Sequence, residues 1–453
     1  MTTLTGDPEV RLEAFDEWMG AWSPSTPRDP GELTVWQLDR AWRQAETLGQ
    51  GNPFYQERFH LPPQRDADAY RALGATTKQD VVEDCAESPP YGCRTVAGTA
   101  DIRMVVHTSG TSGQGMAVYA LDSADLDAIV RTEAVGFLWA GIREGTGVLL
   151  TLPIGMTAAG LWYSAALRAI GANVFSVGPY PTERKVELLR QFQPEVVVGT
   201  PTYLQRLAVA CEDAGLPPDS TSVKTLIVAG QAFSLPWARA IEARWGGTLY
   251  EQYGCTERAI AWTCPGGVIK GDSLGVLHFP PEAGYYEVIE PESGEPVGHG
   301  EIGELVITPF GADASPLVRY ATGDRVRWMA PGACPCGRPL AGIAAGEVER
   351  YDDMMKIRGV NVWPASFDQA IFALETVSDY RGKVWVDDNG TERVEIRAEG
   401  VGDPDALAGA VSGSVHRVTG LRVEVKVEPA GTLAREVPEG FVKIKRFQVE
   451  TLR

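Results

Sequence analysis

The run His107-Thr108-Ser109-Gly110-Thr111-Ser112-Gly113-Gln114-Gly115 sets small hydroxyl and glycine residues directly behind the apolar triplet Met104-Val105-Val106. With no bulky side chains in the way, backbone N–H groups of such a loop approach phosphate oxygens closely, and the hydroxyls add donors. The spacing is not that of a P-loop, and the run holds no lysine. Taken alone, it is equally a flexible loop. Four further groups follow in order along the chain. Gln252-Tyr253-Gly254-Cys255-Thr256-Glu257 supplies an aromatic ring, a hydroxyl and a carboxylate in a tight turn, and Arg319-Tyr320-Ala321-Thr322-Gly323-Asp324 predicts a second turn ending in a carboxylate. Then come Arg350-Tyr351-Asp352-Asp353-Met354-Met355-Lys356-Ile357-Arg358-Gly359-Val360-Asn361-Val362-Trp363-Pro364 and, near the end, Val442-Lys443-Ile444-Lys445-Arg446-Phe447. Singly, each is a surface turn or a charged patch. Their order is what points to chemistry.

The elements that must carry these groups are legible from periodicity. Between Arg103 and Pro309, short β-branched runs (MVVH, GVLLTLP, ANVFSVG, EVVVGT, VKTLIVAG) alternate with amphipathic segments such as TERKVELLRQF and PTYLQRLAVACEDAG. Near-continuous apolar strands separated by helices predict an α/β fold whose parallel sheets are covered on both faces. In such sheets ligands sit beyond the strand C-termini. From Tyr285 to Trp328 the texture changes to alternating strands, which predicts an antiparallel sheet or small barrel. The segment before Ala100 is helical and loop-rich, with Trp18, Trp22, Trp36 and Trp42 expected in its core. After Asp352, strands GKVWVDD, ERVEIRAE and LRVEVKVEP and two helices predict a small α+β domain. The expected division is therefore a large N-terminal domain over 1–351, with parallel-rich sheets and an antiparallel subdomain, and a small mobile C-terminal domain over 352–453.

Composition narrows the function class. A net charge of −19 argues against a general nucleic-acid or anionic-membrane binder, since phosphate-rich surfaces attract basic proteins. No apolar run is long enough for a transmembrane helix, and the acidic start MTTLTGDPEV lacks the order of a signal peptide, so a cytoplasmic location is expected. Seven cysteines, an odd number in a long chain, suit reduced thiols better than a disulfide framework. Four of them, Cys255, Cys264, Cys334 and Cys336, fall in one third of the sequence.

In their order, the five motif groups resemble the adenylate-forming superfamily, and most closely its phenylacetate–CoA ligase branch. The resemblance runs from about Thr76-Thr77-Lys78 to Lys443 and is most specific over Asp352–Pro364. It implies that Thr108, Ser109, Gly110, Thr111, Ser112 and Gly113 hold the β- and γ-phosphates of ATP, with Thr111 among the reacting groups. Glu257 would help bind Mg²⁺, a hard cation that favours carboxylate and phosphate oxygens. Gly230-Gln231-Ala232 would line the adenine pocket, with Tyr253, Gly254 and Thr256 nearby, and Asp324 would take the ribose hydroxyls beside Arg350. Lys443 matches the lysine that neutralises charge on the reacting carboxylate and α-phosphate. Lys445, two residues on and on the same strand face, is its rival. Asp352 matches the hinge of the mobile domain.

Two residues depart from the family pattern: Gln114 stands where lysine is usual, and Val442 where glycine usually precedes the catalytic lysine. The reaction implied is attack of a carboxylate on the α-phosphate of ATP, giving acyl-AMP and pyrophosphate, followed by transfer to a thiol, most often that of coenzyme A. Carrier-protein thiols, amines and nitrite activation for arylamine diazotisation remain open as variants. The substrate is expected to be a small aromatic acid bound near Ile154-Gly155-Met156, Tyr203 and Gly230. A homodimer is the family expectation. Cys264, His278, Cys334 and Cys336 resemble a tetrahedral Cys₃His zinc site found in this branch, with CPCGR as its knuckle. The alternative is a set of reduced thiols that lie near one another without a metal.

Overall fold

The structure, a computed structural model, describes residues 15–108, 116–156, 158–374, 376–387, 391–436 and 446–450. Its centre is a single 12-stranded sheet. Strands Asn173–Ser176, Gly147–Leu150, Val196–Gly199, Thr225–Ala229 and Thr248–Gly254 lie parallel in that spatial order. Val196–Gly199 is buried at all four positions, as a strand covered by helices on both faces must be. The crossover helices have local reasons to begin where they do. Pro201–Asp213 starts on Pro201 at its first position, with the Thr200 side chain accepting from the N–H of Tyr203.

The antiparallel strands are not a separate sheet or barrel. Ile260–Thr263 folds back along Thr248–Gly254, and Val276–His278, Gly342–Ala344, Tyr320–Met329, Ile302–Pro309 and Gly284–Ile289 extend the same sheet outward. Backbone pairing across Gln252 and Trp262 makes the junction continuous. The segment MVVH also differs from expectation. Met104–His107 joins no parallel sheet but pairs antiparallel with Val118–Leu121, so the hydroxyl and glycine run is the connection of a two-stranded ribbon.

The helical N-terminal part packs on the antiparallel strands, helix Pro30–Gly51 against Gly284–Ile289 and helix Lys78–Glu87 against Tyr320–Met329. Trp42 is almost fully buried against Tyr70, but Trp18 is 45% exposed, with the guanidinium of Arg338 4.6 Å above its ring. Thr76 clasps the sheet. Its N–H donates to Arg319 O (2.8 Å), its carbonyl accepts from Ala321 N–H (2.9 Å), and its hydroxyl donates to Val318 O (2.9 Å). A buried ion pair, Arg319 to Glu287 at 3.0 Å, backs the same stretch.

Beyond Met355, a four-stranded sheet forms from Glu424–Glu428, Glu392–Gly400, Val377–Val386 and Phe447–Val449, covered by helices Pro364–Phe372 and Pro404–Thr419. This matches the predicted α+β tail. It touches helix Pro201–Asp213 through Gln205 Nε2 donating to Ser378 O (2.5 Å) and through the two-pronged pair of Arg435 with Asp213 (2.8 and 3.0 Å). Beside these contacts lies a cavity of about 790 Å³, lined by Trp237, Ile241, Phe372, Leu374 and Val377 among others. No described helix is long and apolar enough to cross a membrane.

Candidate active site and metal centre

The carboxylate of Glu257 follows the C-terminal end of the last parallel strand. The chain turns there from Thr248–Gly254 into Ile260–Thr263, with Cys255 N–H donating to Ala259 O (3.2 Å) and Arg258 at φ +73°. The Arg258 side chain is drawn inward to Gly311 O and lies 3.8 Å from Asp125. Glu257 itself is only 7% exposed, and two phenols donate to its Oε1: Tyr119 at 3.2 Å and Tyr320 at 3.1 Å. One phenol comes from the ribbon that carries the glycine-rich run, the other from the strand leading to Asp324. Burial and the nearby Glu257 charge push both hydroxyls well above the ordinary tyrosine pKa, so they stay protonated donors. Tyr320 lies in the Arg319–Asp324 group but has no role assigned to it from the sequence, and Tyr119 belongs to none of the groups.

Arg319–Asp324 is not a turn. Tyr320–Met329 is a strand, and the pairing register shifts opposite it between Glu304 and Val306. Gly323 absorbs the irregularity at φ +72°, and a Cβ there would come within 3.0 Å of the Arg350 guanidinium. That close approach lets Arg350 donate to Thr322 O (2.8 Å) and Asp324 Oδ1 (3.1 Å). Asp324 Oδ2 accepts from Tyr253 OH at 2.5 Å. Burial opposes the charge on Arg350, but Asp324 and Asp352 outweigh it and raise its pKa. The structure thus brings Tyr253, Asp324 and Arg350 into one hydrogen-bonded group, and Glu257 with the two phenols into another, joined through the strand that holds both Tyr320 and Asp324.

Gly230-Gln231-Ala232 follows strand Thr225–Ala229, as expected. Gly230 lies at φ +80° with open space where a side chain would stand, and Gln231 Oε1 accepts from Thr202 N–H (3.1 Å). Gly254 is exposed and Thr256 half-buried in the Glu257 turn. Thr108 closes the ribbon by pairing with Ala117 (N–H to O, 3.1 Å). Ser109, Gly110, Thr111, Ser112, Gly113 and Gln114 lie outside the described residues, as do Val442, Lys443 and Lys445. Of the expected acid-binding residues, Ile154 and Met156 are about half exposed, and Met156 O accepts from His107 N–H (3.3 Å). Tyr203 is buried, its hydroxyl 3.2 Å from that of Thr182 and its ring 4.5 Å from the Lys185 ammonium.

The four predicted metal ligands converge. One ligand atom from each of Cys264, His278, Cys334 and Cys336 lies within 4.8 Å of the others, and all but Cys336 are buried. Cys264 ends strand Ile260–Thr263, next to His278 on the paired strand, while Cys334 and Cys336 sit on the turn after Met329. The sulfurs of Cys264 and Cys334 are 3.9 Å apart, and Cys336 Sγ is 3.4 Å from His278 Nε2. Tetrahedral zinc bonds of about 2.3 Å to sulfur and 2.0 Å to nitrogen require edges of roughly 3.5–3.8 Å, so the donor set fits. His278 Nδ1 faces Leu340 O at 3.3 Å, the backbone contact that leaves Nε2 as the ligand atom. The thiols share hydrogen bonds, which lower the pKa of Cys336 and raise that of Cys264. Cys255 takes no part in this cluster.

The class of protein follows from comparison with known proteins. The chain belongs to the AMP-binding enzyme family, whose model matches residues 60–310, and so to the adenylate-forming superfamily. It is 30% identical to the phenylacetate-coenzyme A ligase of Pseudomonas putida, over 78% of this chain and 80% of that protein. It is also 30% identical to the phenylacetate-coenzyme A ligase of Thermus thermophilus, over 76% and 77%. Among solved structures, a 2-hydroxyisobutyryl-CoA ligase in its postadenylation state shares the fold at a TM-score of 0.81 and 21% identity, covering 98% of this chain and 97% of that one.

Proposed function

We propose that the protein activates a small aromatic carboxylic acid with ATP as its acyl-AMP and passes the acyl group to coenzyme A. The observation that carries this reading is the linked pair of buried carboxylates, Glu257 and Asp324, in a chain of the AMP-binding family whose relatives are phenylacetate-coenzyme A ligases. In the first step a carboxylate oxygen of the acid bonds to the α-phosphorus, the bond to the bridging oxygen breaks, and pyrophosphate leaves. In the second, the coenzyme A sulfur bonds to the acyl carbon, AMP leaves, and the thiol proton is released. Such transfers depend on positioning and charge neutralisation.

Asp324 would receive the ribose hydroxyls, a role supported by Arg350 and Tyr253 holding its two oxygens. Glu257 would hold Mg²⁺, whose chemistry is to neutralise phosphate charge. One buried carboxylate completed by substrate phosphates suits that cation. The hydroxyl and glycine run Thr108–Gly113 would cradle the phosphates, with Thr111 and Lys443 at the reacting groups. Residues 352–453 form the part that turns between the two steps, about Asp352. Zinc at Cys264, His278, Cys334 and Cys336 would be structural, since four protein ligands leave no open position.

ATP–pyrophosphate exchange against a panel of aromatic acids and nitrite, with and without coenzyme A, tests the reading. Exchange with an aryl acid and formation of its thioester are expected. Exchange with nitrite alone, or with no acid at all, would overturn it. Lys443→Ala is expected to cut exchange by on the order of 100-fold while leaving ATP binding by calorimetry within a few-fold. Unchanged exchange would move the role to Lys445.

A further inference from the structure

We propose that Tyr119 and Tyr320 are positioning residues that clamp Glu257 Oε1 so that its other oxygen is presented to the nucleotide-bound divalent cation. The proposal rests on the functional reading above in taking Glu257 as the cation's protein ligand. Both phenols reach the same oxygen, at 3.2 and 3.1 Å, from elements 138 and 63 positions away in sequence. Two donors on Oε1 restrain the carboxylate and leave Oε2 as the oxygen that neither phenol engages.

The choice of donor matters. A lysine or arginine would neutralise Glu257 and compete with a cation, whereas a phenol orients the carboxylate without cancelling its charge. Arg258, the adjacent basic side chain, is turned away toward Gly311 and Asp125. All three partners are buried: Tyr119 is 3%, Tyr320 2% and Glu257 7% exposed. The clamp is therefore held by packing and is not assembled by the ligand. Partners that hydrogen-bond a ligating carboxylate commonly change metal affinity by about 10–100-fold. The arrangement also ties the cation site to both nucleotide elements, since Tyr119 stands on the ribbon of the glycine-rich run and Tyr320 four residues before Asp324.

The test is Mn²⁺ binding to the full-length protein saturated with a non-hydrolysable ATP analogue, read by electron paramagnetic resonance and calorimetry. Tyr119→Phe, Tyr320→Phe and the double variant are compared with wild type. Each single variant is expected to weaken Mn²⁺ about 10-fold, and the double variant more, with metal-free binding of the analogue unchanged. Tyr286→Phe removes a buried phenol that donates to Ile260 O and not to Glu257, and serves as the packing control. Mn²⁺ affinity within twofold of wild type in the single variants overturns the proposal, as does an equal loss in Tyr286→Phe. A wild-type complex that binds no Mn²⁺ overturns it too. A chain that shows the Mn²⁺ shifts but exchanges pyrophosphate with no acid would refute the proposed function while leaving the clamp standing.

Discussion

Glu257→Gln is expected to lower ATP–pyrophosphate exchange by on the order of 100-fold with little change in thermal stability. The amide is nearly isosteric, and its carbonyl oxygen can still accept from Tyr119 and Tyr320, so the buried contacts that the two phenols make survive. What is lost is the negative charge, along with one oxygen replaced by a donor that cannot bind a cation. The buried setting enlarges the effect, because water cannot easily substitute for a missing ligand at a residue only 7% exposed. The measurement is the exchange rate across a Mg²⁺ titration, alongside a thermal melt. A rate within threefold of wild type at all Mg²⁺ concentrations would remove Glu257 from the cation site.

The second large effect concerns stability. Protein prepared without chelators is expected to carry one zinc per chain, and Cys334→Ser to lose it, with a fall in melting temperature on the order of 10 °C. The cluster joins three places, the end of strand Ile260–Thr263, the strand Val276–His278 and the turn after Met329, and Cys264, Val276 and Cys334 form a small core with Met329 and Cys336 packed on it. Without a cation, three sulfurs and an imidazole crowd together with no charge to bind them. Elemental analysis and differential scanning calorimetry check both parts. Zinc-free wild-type protein, or a variant that melts with wild type, would leave a cluster of reduced thiols.

Much of this was legible in the residues. The parallel strands declare themselves because positions buried on both faces must be apolar throughout, and Val196–Gly199 is such a run. Cys334-Pro-Cys336 with Cys264 and His278 was readable through the resemblance to the branch, which implies a Cys₃His site where spacing alone leaves reduced thiols open. Thr322-Gly323-Asp324 misled: these are turn-forming residues, yet here a register shift in the neighbouring strand lets them stay within a sheet. The antiparallel strands were recognised, but alternation along a strand does not say which sheet it joins, and that depended on the pairing of Gln252 with Trp262. Tyr119 and Tyr320 were invisible as functional residues, since a buried phenol shows its purpose only by where its hydroxyl lands.

Thr76 carries a consequence in time. Its hydroxyl bonds Val318 O across 242 positions of chain, and its backbone brackets Arg319 and Ala321 just ahead of Asp324. At roughly 5–20 residues per second, a ribosome that has released Thr76 needs roughly 12–50 s more before its partner emerges. Throughout that interval Thr76 has no partner, and the stretch that places Asp324 lacks its backing until the two meet. The clasp thus becomes possible only after more than two thirds of the chain has been made.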